Sequence, residues 1–150
     1  MRSIFVMVLV LIFNQFASAQ SATIHWNLEK GIALQGYDAV AYHTQKKAVK
    51  GKQTFSLSHG GALWYFASAA NRDLFLKSPA TYEPAYGGWC AFAMGDYGKK
   101  VEVDPETFKL IDGKLYLFYN KYFNNTLTSW NKNEAALKKQ GDSNWAKLIQ

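Results

Sequence analysis

The stretch "FKLIDGKLYLFYN", Phe108 to Asn120, constrains the fold more than any other part of the chain. Two runs of alternating character flank Asp112-Gly113. Alternation with period two places every second side chain on one face of a strand. Asp-Gly supplies the two left-handed residues that a two-residue hairpin turn needs. The chain must therefore build an antiparallel sheet here. A lone hairpin is at best marginal in water, so other elements must cover its apolar face. The composition supplies that cover, with 49% hydrophobic and 16% aromatic residues. Cys90 is the single cysteine, which excludes an internal disulfide. Stability must come from burying rings and aliphatic side chains.

The remaining elements follow from local chemistry. "GYDAVAYH", Gly36 to His43, reads as a turn and then a short strand. "TFSLS", Thr54 to Ser58, and Ala62 to Ala67 read as strands joined by a tight Gly60-Gly61 turn. Ser68 is a natural N-cap for a helix to Lys77, which Pro79 stops. "TYEPAYGGWCAFAMGDYG" reads as irregular. Asp104 to Phe108 reads as a turn or a single helical turn with Pro105 at its first position. Ser129 is expected to cap a helix that Gly141 ends, with "DSNWAKLI" a last short helix. The fold class is α+β, a small antiparallel sheet covered by short helices.

The first residues look like an export leader. Arg2 precedes the apolar run Ile4 to Phe13, and Ala17-Ser18-Ala19 is a small-residue cleavage site. The run is too short to span about 30 Å of hydrocarbon. The division expected is a signal peptide over 1–19, an N-terminal lead-in over 20–35 and one domain over 36–150. The product would be periplasmic or secreted, with no membrane span after cleavage. The net charge is +6, but the basic residues are scattered in short pairs such as Lys46-Lys47, Lys99-Lys100 and Lys138-Lys139. Phosphate grips need a concentrated basic patch, so nucleic acid is not an expected partner. The sequence holds no Gly-rich phosphate loop and no placeable Ser/His/Asp order, so no catalytic set is assigned.

Taken in order, "GYDAVAYH", "YFASAANRDLFLKSPATYEPAYGGWCAFA" and "DPETFKLIDGKLYLFYN", with the closing "DSNWAKL", resemble an exported, stand-alone YHS-domain protein. Relatives with that domain accompany copper-transporting ATPases and some multicomponent hydroxylases. Metal binding has been proposed from their cysteines. Here Ala41, Ala67 and Asn71 stand where those thiols would be. Soft metals need thiolate, thioether or imidazole ligands, and alanine offers none. The resemblance thus carries over a scaffold rather than its thiol site.

Two readings of the remaining chemistry stay open. In the first, Cys90 and His43 hold a transition metal such as copper, with His59 and Met94 as further candidates. Against it, Cys90 also reads as a small buried hydrophobe among Trp89, Ala91 and Phe92. In the second, Tyr37, Asp38, Tyr86 and Trp89, with Tyr82 and Tyr97, line a metal-free aromatic pocket for a small molecule or a protein partner. Those rings also read as plain core, with Asp38 pinning a turn.

Overall fold

A computed structural model of the chain describes residues 25–150. The expected leader over 1–19 lies outside them. The fold is α+β: a mixed four-stranded sheet, two separate hairpins and six α-helices among the described residues. The four-stranded sheet has the order β1-β2-β4-β3, built from β1 (Leu28–Glu29), β2 (Ile32–Ala33), β3 (Lys52–His59) and β4 (Ala62–Phe66). β3 and β4 form the expected hairpin, with Ser58 opposite Leu63 and a bulge between Lys52 and Ser56. The lead-in residues join this sheet through β2, which runs parallel to β4. The sheet is therefore mixed rather than wholly antiparallel.

The Asp-Gly hairpin forms as its alternation requires. β5 (Asp104–Ile111) and β6 (Lys114–Phe118) pair from Ile111–Lys114 back to Phe108–Leu117. Asp112 and Gly113 both have positive φ, 50° and 74°. Strand β5 starts earlier than expected, because "DPETF" is an extended bulge. Asp104 accepts hydrogen bonds there from Glu106 N at 3.0 Å and the Thr107 hydroxyl at 2.9 Å.

The helices show where local reading fell short. Residues expected as a strand form α1 (Ala39–Thr44). The Asp38 side chain caps it by accepting from Val40 N and Ala41 N. Its first four residues are buried on every side, so no amphipathic period marks it as helical. α2 (Ala69–Lys77) forms as expected, with Ser68 Oγ accepting from Asn71 N at 3.1 Å. Pro79 stops that helix by opening another, α3 (Pro79–Tyr82), rather than a loop.

The supposedly irregular glycine-rich stretch contains α4 (Ala91–Tyr97). Two helices close the chain, α5 (Thr126–Lys132) and α6 (Glu134–Leu148). Asn125, not Ser129, caps α5, accepting from Leu127 N at 3.0 Å. Gly141 does not end a helix; it lies buried inside α6, where the Tyr86 ring packs on it.

The core falls into two clusters. One packs the four-stranded sheet, α1 and α2 around Tyr42, Trp64, Phe66 and Phe75. The other packs α4, α5 and α6 on β6 around Tyr86, Met94, Tyr116, Phe118 and Trp130. Helices α4 and α6 meet at Gly95, where an added Cβ would lie 2.5 Å from the Leu137 carbonyl oxygen. Ala normally improves a helix interior by about 1 kcal/mol over Gly. Here the clash with backbone dominates, and Gly95→Ala should lower stability by about 1–3 kcal/mol. Urea unfolding of the variant beside the wild type measures it.

Candidate functional site

Asp38 is the most constrained polar group in the described chain. It is wholly buried, yet both carboxylate oxygens are occupied. Oδ1 accepts from Val40 N at 2.8 Å and Ala41 N at 3.1 Å. Oδ2 accepts from Ala67 N at 2.8 Å and Asn71 Nδ2 at 2.7 Å. An unpaired buried carboxylate is prohibitive, and these donors are what make its burial tolerable. The cage ties the start of α1 to the end of β4 and the first turn of α2. Three of its four donors come from Ala41, Ala67 and Asn71, the positions that the resemblance associates with thiols. The sequence therefore brings those positions together in space, but around a carboxylate whose four acceptor directions are filled. A metal does not fit here: no thiolate or imidazole is present, and Asp38 is engaged with the backbone.

The structure places the four metal candidates apart in role. Cys90 is fully buried and precedes α4. Its Sγ accepts from Tyr119 N at 3.3 Å and lies 3.4 Å from the Thr126 hydroxyl. Met94 is buried in the other core cluster, one helical turn on. His43, at the end of α1, stands edge-on to the Tyr82 ring at 5.3 Å. His59 Nε2 pairs with Glu83 Oε1 at 2.6 Å. Among the described residues, no group of three or more His, Cys, Asp or Glu side chains is arranged to hold a metal ion. His43 Nε2 is buried with no hydrogen-bond partner among the described residues. Burial pushes its pKa down, and the charges of Lys46 and Lys114 push the same way.

The expected pocket set also divides. The Tyr37 ring lies under Lys50 Nζ, 4.5 Å from its centroid. Trp89 donates from Nε1 to the His25 carbonyl at 2.8 Å, and Lys100 sits over its ring. Asp38 is sealed in its cage. Of the four, Tyr86 alone lines the larger cavity, which holds about 500 Å³. Four rings wall that cavity: Trp26, Tyr86, Tyr116 and Trp145. Its polar lining comes from His25, His59, Glu83, Lys114 and Asp142.

Long-range contacts assemble this cavity. The lead-in is stitched down by Asn27 N donating to Gly87 O at 2.8 Å and Trp26 Nε1 donating to Gly60 O at 2.9 Å. From the other end of the chain, Asp142 on α6 accepts from the Tyr86 hydroxyl at 2.8 Å and from Lys138 Nζ at 2.9 Å. Burial and this acceptor both push the Tyr86 pKa up, so the hydroxyl stays a donor. Trp145 faces Tyr86 and stands edge-on to His25 at 6.1 Å. His25 Nδ1 is buried with no hydrogen-bond partner among the described residues. Sequence reasoning missed this cavity, because His25, Trp26, Asp142 and Trp145 lie at opposite ends of the chain.

Two measurements check these assignments. Asp38→Asn keeps one acceptor oxygen, but it turns an amide NH₂ toward either of two donor pairs. It should cost about 3 kcal/mol in urea unfolding, as expected for a buried charge network broken at one member. The second concerns acid. His43 has a folded pKa below its ordinary 6.5, so the unfolded chain binds the proton first. Its contribution to stability is full above 6.5 and is lost as the pH falls through the lowered folded value. Urea midpoints at about pH 7.5 and about pH 5 should therefore separate less in His43→Gln than in the wild type.

No curated protein and no solved structure matches the chain. One family model does match, and its span opens on α1 beneath Asp38 and closes on Tyr86 in the wall of the cavity. Residues 40–86 are a YHS domain, and the positions that the resemblance associates with thiols, Ala41, Ala67 and Asn71, lie around Asp38.

Proposed function

We propose that the chain is a non-enzymatic binding module. In this reading its YHS domain works without a metal, and a small organic molecule occupies the cavity between the lead-in, α6 and the glycine-rich turn before Trp89. The observation that carries the reading is a space of about 500 Å³ walled by Trp26, Tyr86, Tyr116 and Trp145, with His25, His59, Glu83, Lys114 and Asp142 as its polar lining. Small-molecule sites span roughly 300–1,000 Å³ and combine apolar walls with a few polar groups. Trp26 and Trp145 supply apolar aromatic surface to the lining. Glu83, Lys114 and Asp142 add charge and hydrogen-bonding groups. A sugar or a small aromatic acid has the matching character. The apolar run and Ala17-Ser18-Ala19 support export to the periplasm or the exterior. No helix among the described residues is long and apolar enough to cross a membrane.

The copper reading retains the YHS resemblance as its support, with Cys90 and His43 as ligands. One pair of titrations separates it from the small-molecule reading. A panel of monosaccharides and aromatic acids, followed by ligand-observed NMR, should contain a binder. Its affinity should fall about tenfold or more in Trp145→Ala, the loss typical of a stacked aromatic anchor. Cu(I), presented against a competing chelator, should not be held one-to-one. Tight stoichiometric Cu(I) that disappears in Cys90→Ala, with no organic binder, would reverse the assignment.

A further inference from the structure

The second small hairpin, β7 (Asn120–Lys121) and β8 (Asn124–Asn125), turns through Tyr122 and Phe123. Both residues sit in the left-handed region, with φ of 52° and 61°. That backbone suits Asn-Gly, as at Asp112-Gly113, and strains a side chain as bulky as an aromatic ring. The rings gain nothing in return from the described chain. Tyr122 is 90% exposed and Phe123 111%. The strain and the exposed apolar surface are both uncompensated among the described residues.

The stem is held firmly. Thr126 donates to the Tyr119 carbonyl from its backbone N at 3.0 Å and from its hydroxyl at 2.8 Å. Asn120 Nδ2 donates to the Thr107 hydroxyl at 3.0 Å. Asn125 is fixed as the cap of α5. The tip is thus presented on a braced stem.

Its surroundings decide what it fits. Lys121, Asn124, Asn125 and Thr128 are exposed and polar. A stable protein interface buries about 800 Å² on each side, and this narrow polar-flanked tip does not provide an apolar area of that kind. An aromatic wedge beside cations is what a lipid–water boundary accepts. Tyr97, half exposed, lines a depression together with Asn124, and exposed Lys99 follows it two residues on. These add a ring and a cation at the same end, on a chain of net charge +6. We infer that the Tyr122–Phe123 tip is a docking wedge that inserts its two rings into an anionic lipid surface, with Lys121 against the headgroups.

Co-sedimentation with vesicles tests this, using the chain from Gln20 onward, which keeps every described residue. Phosphatidylcholine vesicles containing phosphatidylglycerol should retain the wild type. Pure phosphatidylcholine should retain much less, and added salt should release the protein. The double variant Tyr122→Asn with Phe123→Gly should bind about tenfold more weakly, since two weak signals are needed for stable attachment. The same variant should melt no lower than the wild type, because its turn is relaxed, so lost binding would not be lost folding. Lys121→Gln should weaken binding to the anionic vesicles alone. Equal retention of wild type and double variant, or retention of neither, overturns the proposal. A dimer that the double variant dissolves, with vesicles ignored by both, assigns the tip to a second copy and overturns it as well.

Discussion

The buried carboxylate of Asp38 is the interaction on which the YHS region depends. A charge withdrawn completely from water is tolerable only when its acceptor directions are filled. Asp38 fills them from three elements at once. The cost of leaving any donor unmet couples α1, β4 and α2 into one geometry. Tyr42 extends the same tie, sending its hydroxyl 2.7 Å to the Pro105 carbonyl and locking α1 to the start of β5. The α1 region is therefore joined to the β5-β6 hairpin through a polar contact as well as through the packed Tyr42 and Phe108 rings.

This arrangement gives physical meaning to the absent thiols. Positions 41, 67 and 71 lie at one place in space, as a shared metal site would require, and their donors all point inward to a single anion. The centre is organised here by an anion. An anionic centre needs N–H donors, which Ala41 and Ala67 supply from the backbone and Asn71 from its side chain. Alanine is adequate at two of the positions because only the backbone is used there. Cys90, outside this cage, has its Sγ against Thr126 Oγ1 and Tyr119 N and packs in the same core cluster as Tyr42 and Trp64.

The legible parts of the fold were those decided within a few residues. Asp112-Gly113 fixed a hairpin because both residues accept positive φ, and Ser68 fixed a helix start because its hydroxyl reaches Asn71 N. The missing thiols could be read directly at Ala41, Ala67 and Asn71. What escaped was decided by tertiary burial. Ala39 to Tyr42 form a helix whose apolar residues face the core on all sides, so no period of 3.6 was visible. Gly141 looks like a helix end and is instead a place for the Tyr86 ring. The candidate cavity was illegible for a simpler reason: His25 and Trp145 meet although 120 residues of sequence separate them, and no local pattern announces that meeting.

The central claim is that a carboxylate cage, not a metal, holds this YHS domain together. Urea unfolding midpoints measured with a strong chelator, with added Zn(II) and with Cu(I) under reducing conditions test it most directly. A ligand that binds only the folded state at one hundred times its dissociation constant adds about 2.7 kcal/mol to stability. The cage account predicts the same midpoint in every condition. A midpoint raised by either metal and lowered by the chelator would contradict it, and would place a metal site in the native fold.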